Sequence, residues 1–339
     1  MARTSTAFTD VDFDKSGKQV GFVRIPHSPH KDAWGNTAIP IAVIANGKGP
    51  TVILQGGNHG DEYEGPIVIG EIIRDLPVED IQGRIICLPA VNAPAVRAGR
   101  RTSPDDGLNL NRTFPGDPIG SITEQISAYV SDIVFPMADA FLDLHSGGSS
   151  LDIIPSAIVE PATDARHHAR NVAAVRAFNA PMTVVIDNLG DPRTSTATSV
   201  RAGLTTVGTE MGGGGTVSRE AVKVCRNGVR NVLAHLGVLA EPATRPDAEP
   251  GVILKIPGPD GFVFAGSDGI FENFHPLGAT VRAGQEAGRI HHLTDPGRPS
   301  EVLKFGADGV LYGQRHPALV EPGNCCLVVA APYEGTLPG

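Results

Sequence analysis

Apolar positions change rhythm along this chain. Over the first fifty residues, strand-like runs at 19–25 and 39–45 flank a Pro/His/Gly loop, so this segment reads as β-rich. From residue 51 onward, short unbroken apolar runs alternate with stretches of helical spacing. Runs at 51–55, 84–91, 141–144, 157–159, 182–186 and 205–209 predict strands, and stretches at 62–76, 123–134, 163–178 and 218–236 predict helices. In the last helix Val222, Cys225, Val229, Val232, Leu233 and Leu236 recur at helical spacing behind Ser218, a good N-cap. Short runs without alternation suit strands buried on both faces. The expected fold class is therefore α/β, a mostly parallel mixed sheet with helices on both faces.

The texture changes after residues 241–250, a stretch rich in Glu and Pro that reads as a linker. Beyond it, Gly and Val recur with the turn pairs Asp260-Gly261, Asp268-Gly269 and Asp308-Gly309, and no helical spacing is found. The expectation is a larger α/β domain over 1–245, β-rich at its start, and a smaller C-terminal all-β domain over 246–339.

Composition narrows the partners. A chain of 339 residues with 41% hydrophobic content can bury a large core, and its 41 glycines and 28 prolines imply many turns. A formal charge of −9 argues against nucleic acid and anionic membranes as partners, since both select basic surfaces. It leaves a small-molecule substrate open. Cys87, Cys225, Cys325 and Cys326 lack zinc-finger or CxxC spacing, and the chain shows no apolar signal segment or long apolar run. A cytoplasmic protein without a membrane span is expected.

The chemistry concentrates where strand runs give out. Three stretches, Gly56 to Glu62 (GGNHGDE), Asp143 to Gly148 (DLHSGG) and Thr209 to Gly212 (TEMG), each follow an apolar run. If those runs share one sheet, the three stretches meet at its edge, where open α/β proteins place ligands. His59 and Glu62 stand three apart and would share a face if a helix begins there. With His145 they offer two nitrogens and an oxygen, a set suited to zinc with a fourth position open to water. Asp143 points to the same strand face as His145 and either orients its ring or is an ordinary buried, hydrogen-bonded aspartate. His27/His30, His167/His168 and His291/His292 compete for a metal, but none sits at a strand–helix junction, so most of these read as surface histidines. Glu210 closes an apolar strand, where a carboxylate is costly unless paired or functional; it is either a general base or a sheet-edge ion-pair partner. The loop from Arg100 to Arg112 carries Arg101 and the pair Asn111-Arg112, suiting carboxylate recognition, though a solvated loop with local turns would look the same.

Taken as an ordered set, GGNHGDEYEGP, GRRTSPDDGLNLNRTFPG, DLHSGG and TEMGGGG resemble the succinylglutamate desuccinylase/aspartoacylase branch of the zinc carboxypeptidase superfamily, over residues 50–240. Within that branch the wording is most similar to the acetyl-diaminobutyrate deacetylases of ectoine degradation. The resemblance implies a zinc-dependent amidohydrolase that removes an acetyl group from an N-acylated amino acid. It implies one zinc ion held by His59, Glu62 and His145, and Glu210 as acid and base. Arg101 would polarise the scissile carbonyl, and Asn111 with Arg112 would hold the substrate carboxylate. Succinyl or aspartyl deacylation and carboxypeptidase action use the same metal chemistry and remain alternatives, as does a non-catalytic carrier or binding protein. None of Tyr63, Tyr129, Tyr312 and Tyr333 stands in the context of the family's active-site tyrosine. The C-terminal region resembles a lipoyl-type hybrid barrel, but Lys304 lies within a strand-like run rather than at a turn tip. This region is expected to narrow the pocket mouth or support a homo-oligomer, not to carry a group.

Overall fold

The computed structural model describes residues 5–30, 32–186, 190–244 and 252–333. Two long strands, β2 (Gly17–His27) and β3 (Gly35–Asn46), pair along their whole length, with β1 (Phe8–Thr9) on the outer side. β3 leads into the centre of a 14-stranded sheet through β5 (Gly83–Leu88), its antiparallel neighbour. Next come β4 (Thr51–Gly56), β6 (Ala140–His145) and β9 (Thr205–Gly213), all parallel to β5.

These central strands show why the apolar runs do not alternate. Val52 and Leu54 of β4 pack into one core with α1 (Glu64–Asp75), α4 (Ala165–Phe178) and α6 (Arg219–His235), while Ile53 faces a second core with α3 (Ile122–Tyr129). Ala140, Leu142 and Leu144 of β6 share the first core and Phe141 the second. Both sheet faces are thus covered, and the apolar positions of the central strands serve one side or the other.

The sheet is mixed, with parallel pairing strongest in its middle. β7 (Leu151–Val159) runs antiparallel to β9, and β8 (Met182–Val185) is parallel to β7. The reversal follows from chain length: the few residues between His145 and Leu151 are too short for a crossover helix, so β7 must turn back. Two boundaries differ from the pattern-based expectation. The strand expected to reach residue 91 stops at Leu88, and α2 (Ala93–Ala98) follows, with Asn92 accepting from the Ala95 amide. The helix expected over 123–134 ends as α3 at Tyr129, widens into a π turn over Val130–Val134 and tightens over Phe135–Met137, where Pro136 removes a backbone donor. A further helix, α5 (Ser195–Arg201), was not expected, because its residues are mostly small and polar and carry no apolar period.

The C-terminal region is all β among its described residues. β10 (Val252–Lys255) is parallel to β8 and antiparallel to β18 (Cys325–Pro332); β18 also pairs with β11 (Phe262–Phe264). β16 (Gly309–Arg315) bonds both β18 and β7, with β13 (Thr280–Val281) beyond it. A second sheet of four strands has the order β15 (Glu301–Lys304), β14 (Glu286–His291), β12 (Gly269–Asn273), β17 (Leu319–Val320). Lys304 lies in β15 opposite Glu286, not at a turn tip. The expected linker lies outside the described residues from position 245 onward. No helix among the described residues is long and apolar enough to cross a membrane.

Helix α6 lies against α4 at one tight point. A Cβ at Gly228 would come within 2.1 Å of the buried Phe178 ring. Gly228→Ala should therefore overpack this contact and destabilise the fold by about 1–3 kcal/mol, read as a lowered thermal midpoint. An unchanged midpoint would mean that the two helices separate without cost.

Candidate active site and metal centre

The C-terminal ends of β4, β6 and β9 bring the three motif stretches together. His59 and Glu62 occupy the turn between β4 and α1, so they do not share a helical face as the spacing suggested. The turn itself brings them together. The Gly60 amide donates to the Arg100 carbonyl at 2.9 Å, and a Cβ on Gly60 would lie 2.0 Å from the Ala95 carbonyl. Only glycine fits there.

Glu62 is the centre of the constellation. Its Oε1 lies 2.7 Å from His59 Nδ1 and its Oε2 lies 2.8 Å from His145 Nδ1. The Ser146 amide donates to Oε2 at 3.2 Å, and Arg101 Nη1 stands 3.6 Å from Oε1. The donor atoms of His59, Glu62 and His145 all lie within 4.8 Å of one another, and all three residues are buried. Among the described residues this is the one group of three or more such side chains placed to hold a metal ion. Each imidazole is fixed from its far side: His145 Nε2 faces Asp143 Oδ2 at 3.0 Å, and His59 Nε2 faces Asn109 Oδ1 at 3.1 Å. Asp143 therefore does orient His145, and it also accepts from Gln55 and from the Ser195 hydroxyl.

Charge explains the proton affinities. Burial alone would raise the Glu62 pKa, but the two facing imidazoles hold it well below the carboxylate range. Burial depresses His59, whereas at His145 the opposite pull of Asp143 and Glu62 prevails and raises its pKa well above the ordinary value. A dication occupying the space between these groups would replace the protons that otherwise balance the carboxylates.

Glu210 stands beside this cluster, its backbone paired with that of His145 across β6 and β9. Burial and the charge of Glu62 push its carboxyl up to about 8, and its Oε2 is buried without a hydrogen-bond partner among the described residues. The chain leaves Glu210 through Gly212 to Gly215, all with positive φ (74°, 147°, 69° and 64°), conformations open to glycine. The sheet-edge ion pair that was an alternative for Glu210 is not formed among the described residues.

These groups line one cavity of about 340 Å³, together with Arg101, Asn111, Arg112 and Glu160. Arg101, rather than Arg100, faces it. Asn111 Oδ1 accepts from the Ser195 amide at 2.9 Å and hydroxyl at 3.1 Å, which leaves its NH2 group as a donor. Arg112 Nε pairs with Asp191 at 3.2 Å. The competing histidines are occupied elsewhere: buried His167 bonds the Leu204 carbonyl, His291 pairs with Glu272, and His292, also buried, bonds the Asp268 carbonyl. Two of them are thus core groups, not surface ones.

Several contributors carried no sequence signal. Asn109 faces the His59 ring from a loop, and Ser195 bonds Asp143 and Asn111 from a polar helix start. Tyr312 reaches from β16 to the Ser156 hydroxyl at 2.5 Å, and Ser156 is the cross-strand partner of Glu210. Burial and the nearby Glu210 charge raise the Tyr312 pKa far above its usual value.

Comparison with known proteins follows this geometry. Residues 48–236 match the succinylglutamate desuccinylase/aspartoacylase catalytic domain. The chain is 41% identical over 332 residues, 98% of its own length and 97% of the relative's, to the N-alpha-acetyl-L-2,4-diaminobutyric acid deacetylase of Halomonas elongata. It is similar to the product-bound structure of the ectoine utilization protein EutE (DoeB) from Ruegeria pomeroyi, with a TM-score of 0.93 and 39% identity over 97% of this chain and 100% of that one. A succinylglutamate desuccinylase/aspartoacylase from Rhodobacter sphaeroides gives a TM-score of 0.90 and 40% identity over the same shares. With its motifs in order and the match extending over nearly the whole length, the chain belongs to the succinylglutamate desuccinylase/aspartoacylase family.

Proposed function

We propose that this protein is a zinc-dependent deacetylase that hydrolyses the amide of N-alpha-acetyl-L-2,4-diaminobutyrate to acetate and L-2,4-diaminobutyrate. The observation that carries this reading is the meeting of a His/Glu/His donor set with Glu210, whose Oε2 is buried without a partner among the described residues, in one small cavity. The near full-length similarity to a deacetylase of that substrate supports the choice of acyl group.

The donor set fits zinc: two imidazole nitrogens and a carboxylate, with polar neighbours that fix both rings. A zinc ion held by His59, Glu62 and His145 would supply Lewis acidity and a bound water of near-neutral pKa. Asp143 and Asn109 each accept from an Nε2–H, which presents the Nδ1 lone pairs of His145 and His59 toward Glu62. Glu210, with a proton affinity near neutrality, takes a proton from the attacking water and returns it to the departing amine. Arg101 extends a half-exposed guanidinium toward the same space, where it stabilises negative charge developing on the acyl oxygen. Asn111 and Arg112 are held by Ser195 and Asp191 and together receive the α-carboxylate. A cavity of about 340 Å³ suits a single small acyl amino acid, near the lower end of ligand-site volumes.

Metal analysis tests the donor set: zinc content should be near one ion per chain in the parent and near zero in Glu62→Gln and His145→Ala, with turnover lost on chelation. Glu210→Gln should retain zinc while kcat falls by about 10²–10⁴; near-parental turnover would remove Glu210 from proton transfer. Stability of the metal-free protein should depend on pH through the same residue. A folded-state pKa raised from 4.5 to about 8 favours the fold while Glu210 is protonated. That contribution is complete below the unfolded value and disappears as pH rises through the folded one. Metal-free Glu210→Gln should therefore gain thermal stability over the metal-free parent progressively between about pH 5 and pH 9. A pH-independent difference would show that Glu210 ionises freely.

A further inference from the structure

We propose that Glu160 selects substrates whose side chain ends in an ammonium group, an inference that rests on the deacetylase reading above. Glu160 is buried, at 6% exposure, yet lines the same cavity as the metal cluster and Glu210. Its place along that cavity follows from register. β7 runs antiparallel to β9, with Ser156 opposite Glu210 and Ile158 opposite Gly208. Glu160 continues the same face of β7, four residues and roughly 13 Å of strand from Ser156. The cavity thus has Glu210 and the metal cluster toward one end and a second carboxylate toward the other.

The floor between them is bare. Gly208 has no side chain, and a Cβ there would come within 3.2 Å of Ile158 Cβ and 3.6 Å of Thr196 Cγ2. Thr196 also fixes the direction of Glu160, donating its hydroxyl to Oε2 at 2.9 Å. The charges elsewhere in the cavity already match the parts common to any acyl amino acid. Arg101 faces the acyl oxygen, Arg112 the α-carboxylate and Glu210 the amide nitrogen. What distinguishes one amino acid from another is its side chain, and the wall left for it is anionic. Such a wall favours an ammonium and repels a carboxylate. It therefore discriminates against N-acylated aspartate and glutamate, the acidic substrates for which relatives of this fold are named.

The test compares Nα-acetyl-L-2,4-diaminobutyrate with Nα-acetyl-L-2-aminobutyrate, which has the same carbon chain without the amine. For the zinc-loaded parent, kcat/KM should favour the cationic substrate at least about tenfold, mainly through KM. In Glu160→Gln and Glu160→Ala that ratio should fall by about tenfold or more. A ratio that survives both substitutions overturns the assignment and leaves the deacetylase reading intact. Product inhibition of the parent needs no variant: L-2,4-diaminobutyrate should inhibit more strongly than L-2-aminobutyrate, and equal inhibition also overturns the assignment. A zinc-loaded parent that cleaves neither substrate takes down the functional reading itself.

Discussion

Everything in this site depends on one carboxylate shared between two imidazoles. Glu62 is 2% exposed and sits just ahead of a helix, so its charge cannot be left to water. The compensation comes from His59 in the same turn and from two remote parts of the chain, His145 at the end of β6 and the loop that presents Arg101. Losing one partner of such a buried cluster costs far more than losing a surface ion pair, because the remaining charge stays in a low-dielectric setting. The strands must therefore end in register, and the glycines at positions 60 and 212–215 are the backbone's way of allowing it.

A second layer of buried polar groups ties two parts of the cavity together. Asp143 accepts from His145, and also from Ser195, whose amide and hydroxyl in turn hold Asn111. One hydrogen-bonded chain thus runs from His145 to Asn111, from one side of the cavity to the other. The orientations of the His145 ring and of the Asn111 amide are set by the same buried groups, so a change at Ser195 would be felt at both.

Much of this was legible from residue order. The run at 51–55 reads as a strand because both faces of β4 are buried, and His145 reads as a ligand because a polar residue follows such a run directly. His59 and Glu62 do meet, but not for the expected cause, since a turn pinned to Arg100 and Ala95 replaces the helical face. Other parts were hidden for physical reasons. α5 has no apolar stripe, so Ser195 gave no periodic signal. Arg100 and Arg101 are chemically alike, and only the path of the backbone decides which one faces the cavity. Glu160 and Tyr312 gain meaning from strand register alone, and register between distant segments leaves no trace in local spacing.

The pairing of β16 with β7 has a mechanical consequence. β7 carries Ile158 and leads directly into Glu160, two residues of the cavity wall, and its other end is hydrogen-bonded to Gly313, Gln314 and Arg315 of the C-terminal region. A backbone ladder resists sliding far better than two surfaces in side-chain contact. The C-terminal region is therefore coupled stiffly to the wall, without a hinge between them at this seam. Insertions or deletions in β16 would shift the wall along its own axis, altering the depth of the cavity while sparing the His59, Glu62 and His145 cluster.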